Sequence, residues 1–325
     1  MKGVITTAYG SPEVFKYEEV SKPTPKPNEI LVKIHASSIT TADTMMRTGK
    51  PYIGRLMLGF TKPKNPIWGT GFAGIVEETG AEVTQFKPGD KVFGESLDSF
   101  GTYAEYVTIA EDDVVRHLPA SLSFEEAACL GDGGVTSYNF LKNVCNVSAG
   151  DKVLINGASG ALGTAAIQIA KYLGAEVTAV CSVRNVQLVK ELGADHVIDY
   201  TIEDFTDRTN AYDFIYDTIG RSSFSDCRDT LTKNGVYASP VIGWPILRDM
   251  MLTAFGKGKK AKFSATGALP KKEIKQMVSE LITMVEASQF KGVIDRTYPL
   301  KKVTEAHYYI SQGHKIGNVV LTPAY

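Results

Sequence analysis

A chain of 325 residues, 43% of them hydrophobic, is long enough to pack two domain cores, and a formal net charge of −1 leaves no electrostatic case for nucleic acid as the main partner. The cysteines Cys129, Cys145, Cys181 and Cys227 are scattered with no C-x-x-C pair, which argues against a disulfide framework and a structural zinc cluster. The opening MKGVITTAYG has no signal-peptide core and no window offers about 18 uninterrupted apolar residues, so the expectation is a cytoplasmic, reducing-compartment protein with no transmembrane segment.

In chain order, VITTAY, ILVKIHASSI, FAGIVEETG, DKVFGE and YAEYVTI are short apolar or alternating runs separated by turns such as KPTPKPNE and KPGD. They predict a β-rich front domain. From Ser123, a plausible N-cap, FEEAACLGDGGVTSYNFLKNV reads as two helices. DKVLIN then suits a buried parallel strand. Gly157, Gly160 and Gly163 punctuate a turn into the helical TAAIQIAKYLGA, and EVTAVCS, about 20 residues on, reads as the next strand. Glycine at such a turn lets the backbone approach a pyrophosphate whose charge rests on the helix N-terminus. With Ala158 where the first glycine of G-x-G-x-x-G usually stands, the motif is informative through its strand–turn–helix context. Further strands YDFIYDTIG and GVYASP follow, then the amphipathic WPILRDMMLTAFGKGKKAKF and the long helix KKEIKQMVSELITMVEAS, with Ile274, Met277, Val278, Leu281, Met284 and Val285 on one face. Strand VIDRTYPL, helix VTEAHYYISQG and strand GNVVLTP complete the chain, and there is no internal repeat.

The end of the second dinucleotide strand bears on the cofactor. An NAD site wants an Asp or Glu there for the ribose 2′-hydroxyl. This strand ends Cys181-Ser182-Val183-Arg184-Asn185 without a carboxylate. A hydroxyl and a guanidinium suit a 2′-phosphate, so Ser182 and Arg184 predict NADPH. The plainer alternative leaves Arg184 as a solvated residue opening the next helix.

The motifs YGSPEVF, GFAGIVEETGAEVTQFKPGDKVFG, GTYAEYV, LGADHVIDY, YDFIYDTIG, VIDRTYPL and GHKIGNVVLTP, spread nearly end to end, resemble the medium-chain dehydrogenase/reductase superfamily in its zinc-free quinone oxidoreductase (zeta-crystallin-like) branch. The resemblance implies an α/β protein. A GroES-like β-rich catalytic domain is expected over 1–122 and 268–325, and a Rossmann doubly wound parallel-sheet domain over 123–267, with the cofactor between them. Zinc-dependent relatives place Gly-His-Glu where this chain has Gly69-Thr70-Gly71, and the front segment SSITTADTMMR has no cysteine, so no metal is expected. The histidines His35, His117, His196, His307 and His314 read as structural or surface. Substrates whose own conjugation makes them hydride acceptors, quinones and α,β-unsaturated carbonyls, are then the expected partners. The other readings are a reductase or dehydrogenase of another carbonyl or alcohol, and a catalytically idle NADPH-binding module.

Ser159, Gly160, Ala161, Leu162 and Gly163 are expected to hold the phosphates, and the resemblance adds Tyr200 at the adenosine end and Thr136 near the nicotinamide. It also places Thr40 and Asp43 at the floor of the nicotinamide pocket, and Tyr52 as a pocket aromatic that donates a proton or stacks on substrate, against the alternative of a lid tyrosine without chemical duty. Relatives usually have Lys where this chain has Asn185, and Asp132 departs from their turn with no evident purpose. Trp244 opens the segment 244–262, for which three readings stay open: a substrate cover, a homodimer interface, or a membrane-surface helix.

Overall fold

The computed structural model describes residues 1–50 and 52–324. Contacts divide the chain into two units, Met1–Asp132 with Gly292–Tyr325, and Gly133–Lys291. The first unit rests on a seven-stranded sheet. Its central strand, Glu29–Ile39, pairs antiparallel with Gly71–Thr79, with Asn318–Thr322 and, over its first half, with Tyr106–Ala110. Register shifts at Leu31/Val32 and Ile34/Ala36 bend this strand, and Ile30, Leu31, Val32, Ile34, Ala36 and Ile39 are all buried. The strand Asn318–Thr322 thus completes a sheet begun near the N-terminus, which is why both chain ends form one GroES-like domain. Phe15–Glu19, paired with Lys2–Thr6, and Val114–His117, paired with Lys91–Glu95, are strands the residue pattern did not single out.

The second unit holds a six-stranded sheet whose pairings are all parallel. Numbered along the unit, its strands lie in the order 3-2-1-4-5-6, the doubly wound order with a switch point between the first strand, Lys152–Asn156, and the fourth, Tyr212–Asp217. The interior strands carry near-continuous apolar runs because both faces are covered: Val153, Leu154, Ile155, Val177, Ala179, Val180 and Ile215 are buried.

Three features differ from the sequence expectation. Phe124–Val144 is not two regular helices: a short α-turn, Phe124–Ala128, runs into wide π-turns at Leu130–Val135 and Asn139–Val144 on either side of Thr136–Tyr138. A Cβ at Gly131 would lie 1.8 Å from Glu95 Oε1, and one at Gly134 2.9 Å from Leu281 Cδ1, so close packing on both sides fixes the path. The helix Lys271–Glu286 buries all six predicted apolar residues, but within the second unit, beyond the expected boundary at 267/268. Leu281 packs on Gly134, and the Gln168 amide holds Lys291 through both its N–H, at 2.9 Å, and its carbonyl, at 3.1 Å. Finally, the segment WPILRDMMLTAFGKGKKAKF, whose pattern reads as a helix, is helical only over Trp244–Ala254, and Lys260–Lys262 forms the edge strand of the parallel sheet.

Candidate functional site

The strand Lys152–Asn156 ends in Gly157-Ala158-Ser159-Gly160, and the helix Ala161–Tyr172 starts at once. Two of the glycines are demanded by the protein itself. Gly157 has φ +78°, and a Cβ there would lie 2.6 Å from Thr218 Oγ1. A Cβ on Gly163 would lie 2.2 Å from the Gly157 carbonyl oxygen, so only glycine lets the helix sit so close to the strand end. Gly160 is different. Its backbone is extended (φ −79°, ψ 178°), open to any residue, and the nearest atom to a Cβ is the Gly157 oxygen at 3.5 Å. It is also the helix N-cap with no capping side chain, which leaves the first-turn N–H groups without a side-chain acceptor. An open approach and unmatched donors on a helix N-terminus suit a diphosphate.

The same sheet edge gathers the other predicted cofactor residues. Ser182 precedes the exposed turn Val183–Asn185 that carries Arg184. The Tyr200 N–H donates to the Cys181 carbonyl at 3.2 Å, which sets the exposed ring of Tyr200 beside the end of the second strand. Asp199 is in register with Cys181, but its Oδ1 accepts from the Thr201 N–H and hydroxyl at 3.0 and 2.8 Å. The Ser137 hydroxyl donates to the Leu162 carbonyl at 2.8 Å, fastening the turn that carries Thr136 to the first turn of the glycine helix.

Two residues to which sequence reasoning gave no role organise this edge. The Asn185 amide donates to Ser159 Oγ at 2.8 Å, joining the second strand end to the glycine turn. Asp217, fully buried at the end of the fourth strand, accepts from Asn156 Nδ2, from the N–H groups of Ile219, Gly220 and Ser222, and from the Tyr237 hydroxyl. It thereby shapes the loop that faces Gly157. An aspartate closing an apolar strand at a sheet switch point is the signal that would have found it.

Residues 26–120 match the family described as alcohol dehydrogenase GroES-like domain, and residues 192–321 the family described as zinc-binding dehydrogenase. A mouse protein named NAD(P)H oxidoreductase RTN4IP1, mitochondrial, is 32% identical across 91% of this chain and 82% of its own length. Human quinone oxidoreductase is 32% identical across 96% of this chain and 94% of its own. The chain belongs to the medium-chain dehydrogenase/reductase superfamily, in its quinone oxidoreductase (zeta-crystallin-like) branch. Tomato 2-methylene-furan-3-one reductase is also 32% identical, over 99% of this chain and 79% of its own. The solved structure of Escherichia coli quinone oxidoreductase complexed with NADPH superposes with a TM-score of 0.86 at 26% identity, covering 99% of this chain and 100% of that one.

In the GroES-like unit of this family member, Thr40 caps the helix Thr41–Thr48. Its hydroxyl donates to Asp43 Oδ2 at 2.8 Å and accepts from the Asp43 N–H at 3.1 Å. While this capping box is intact, Thr40 retains one lone pair and no proton to give a substrate. Tyr52 lies on the following turn, 66% exposed, with the Arg55 guanidinium 4.9 Å from its ring centre. His307 is buried against Phe15 and Tyr103, and burial pushes its pKa down to about 3, consistent with a structural role. At Gly71 a Cβ would lie 2.3 Å from Ser38 Oγ and 2.7 Å from the Ala128 carbonyl, so no larger side chain fits there. Among the described residues no group of three or more His, Cys, Asp and Glu is placed to hold a metal ion.

Asp132, unexplained in the sequence, belongs to a set of enclosed carboxyls in this unit. Burial, and then the charge of Asp132, raise Glu95 to about 8, and burial raises Asp43 to about 6 against the pull of its Thr40 hydrogen bonds. Asp132 itself is raised by burial and held down by Lys315. A carboxyl whose pKa is higher folded than unfolded binds its proton more tightly when folded, so its stabilisation is present below the unfolded pKa and lost as pH rises through the folded one. Stability should therefore fall between pH ~6 and pH ~7.5, by about 1–2 kcal/mol. Urea unfolding of Glu95→Gln, which keeps the size and removes the titration, should show a shallower pH dependence. An unchanged profile in that variant would exclude Glu95 as the cause.

Proposed function

We propose that the protein is a zinc-independent, NADPH-dependent reductase acting on quinones or on the β-carbon of α,β-unsaturated carbonyls. The observation that carries this reading is the unfilled approach at Gly160 together with a strand end that offers Ser182 and Arg184 in place of a carboxylate. When bound, the nicotinamide supplies the hydride. The chain's own residues bind and orient. The first-turn N–H groups after Gly160 and the Ser159 hydroxyl hold the diphosphate, Ser182, Arg184 and Tyr200 the adenosine end, and Thr136 the nicotinamide end. For the substrate we assign Thr40, Tyr52 and Trp244, with the Tyr52 hydroxyl as proton donor to the reduced acceptor. The committed capping box limits Thr40 to accepting a hydrogen bond. The names of the human and tomato relatives support the quinone and enone classes, and the gap in the Gly-His-Glu segment, now Gly69-Thr70-Gly71, favours acceptors that need no Lewis acid.

Arg184→Ala tests the cofactor assignment. Losing one charge-assisted contact costs about 1.5–3 kcal/mol, so NADPH affinity should drop by roughly tenfold or more while NADH affinity stays the same. Fluorescence titration reads both, and an equal loss for the two cofactors would overturn the 2′-phosphate role. NADPH consumption across a panel of quinones, enals and enones, with enzyme dialysed against a strong chelator, tests the reaction class. Binding without consumption would overturn this reaction class and leave the idle module or a reductase of another carbonyl or alcohol.

A further inference from the structure

From Thr44 to Val76 the chain carries Arg47, Lys50, Arg55, Lys62 and Lys64 and not one aspartate or glutamate, although its formal net charge is −1. Arg47 is buried and committed, its guanidinium bonded to the Gly10 carbonyl and to Ser311. Lys50, Lys62 and Lys64 are exposed. Arg55 is half-buried and held differently. It opens the short helix Arg55–Leu58, and its guanidinium lies against two aromatic rings, 4.4 Å from the centre of Tyr9 and 4.9 Å from that of Tyr52. Its Nε donates to the Gly49 carbonyl at 3.1 Å. Gly49 has φ +61°, and a Cβ there would lie 2.5 Å from that Nε, so glycine is what lets the guanidinium settle in this place. The Tyr9 hydroxyl donates to the Gly59 carbonyl at 2.6 Å, so the residue that stacks on the guanidinium also fastens the far end of the turn that carries it. A long arginine side chain is thereby ordered before any ligand arrives, which removes much of the entropy cost of using it.

Among the described residues the Gly49 carbonyl is the one acceptor bonded to Arg55, so both Nη groups keep hydrogens for a ligand. The surface beside them is apolar. Tyr52 is exposed, and so, at four-residue intervals, are Leu56, at 70%, and Phe60, at 76%. A guanidinium backed by aromatic rings and flanked by apolar groups attracts an anion more strongly than one surrounded by water.

We infer that Arg55 is a recognition site for a carboxylate on the hydride acceptor, which is an α,β-unsaturated carbonyl acid whose conjugated part lies on Tyr52 and Leu56. The two Nη groups give the carboxylate a planar fork of parallel hydrogen bonds. The exposed lysines of the same segment, with no carboxylate in that segment to oppose them, raise the local concentration of anions. The substrate class rests on the reductase reading above; the carboxylate site does not.

Two enones that differ by one charge, benzoylacrylate and its methyl ester, test it as substrates of the full chain, and benzoylpropionate, the saturated acid, tests binding without turnover. In the wild type, kcat/KM for the acid should fall with added salt and that for the ester should not. Arg55→Met keeps an aliphatic stem over the Tyr9 ring. It should lower kcat/KM for the acid and weaken benzoylpropionate in calorimetric titration, each roughly tenfold or more, and leave the ester nearly unchanged. Arg55→Lys keeps the charge and loses the planar fork, so it should fall between. Equal losses for acid and ester would overturn the proposal, since Arg55 would then serve only to seat Tyr52. So would a loss of NADPH affinity matching that of the acid, the cation then belonging to the cofactor, or a wild-type acid rate indifferent to salt. If neither enone is consumed while benzoylpropionate binding still depends on Arg55, the reductase reading falls and the carboxylate site stands.

Discussion

Gly160→Asp is expected to leave the fold at least as stable as it is now and to weaken dinucleotide binding by about a hundredfold or more. The two halves of that result have separate causes. A Cβ at Gly160 meets nothing nearer than the Gly157 oxygen at 3.5 Å, and the residue already has the extended backbone of an N-cap. Aspartate is among the best N-caps, so its carboxylate accepts the first-turn N–H groups and favours the helix. Those are the donors a diphosphate would use, and the new charge repels it. A hundredfold loss corresponds to about 2.8 kcal/mol, the scale of one lost charge-assisted contact plus repulsion. Gly160→Ser caps without charge and should fall between. Retained binding in the aspartate variant, with a normal melt, would mean the turn holds no phosphate.

Asp217→Ala is expected to be the most destabilising change in the dinucleotide unit. The carboxylate is fully buried and takes hydrogen bonds from Asn156, Ile219, Gly220, Ser222 and Tyr237. Alanine leaves these donors without an acceptor where water enters poorly, and each buried unmatched group costs about 1–3 kcal/mol. Relaxation of the loop recovers part of that, so the net loss should be about 3 kcal/mol or more, read as a lower urea midpoint at unchanged slope. Cofactor affinity should fall with it, because Thr218, which the network seats, bonds the Asn156 carbonyl at 2.7 Å beside Gly157. A midpoint within experimental scatter of the wild type would show that the loop is held by other contacts.

Much of this organisation is legible in the residues, for physical reasons that can be named. Buried parallel strands announce themselves as apolar runs because both faces are covered, and Lys152–Asn156 and Glu176–Cys181 follow that rule. The long helix Lys271–Glu286 is visible through its period, since one face must be apolar to pack. What period and composition do not carry is steric demand between distant segments. The π-turns over Leu130–Val135 depend on Glu95 lying against Gly131, and the unit boundary at Lys291 on its pairing with Gln168, contacts set by the folded sheet. The same holds at the site. Glycines at 157, 160 and 163 look alike in sequence, yet two serve the chain's own packing and only Gly160 is free for a ligand. Thr40 reads as a pocket hydroxyl until Asp43 is seen to occupy it. Asn185 reads as a departure from relatives until its amide is found on Ser159.

The most direct test of the central claim is label transfer. Chelator-treated enzyme, shown to hold no metal, would be incubated with NADPH carrying deuterium on the transferring carbon and with an enone or enal that the panel shows to be consumed. The account predicts one deuterium on the β-carbon of the saturated product and a solvent proton on the α-carbon. Deuterium at the carbonyl carbon of an alcohol product, or no transfer unless zinc is restored, would contradict it.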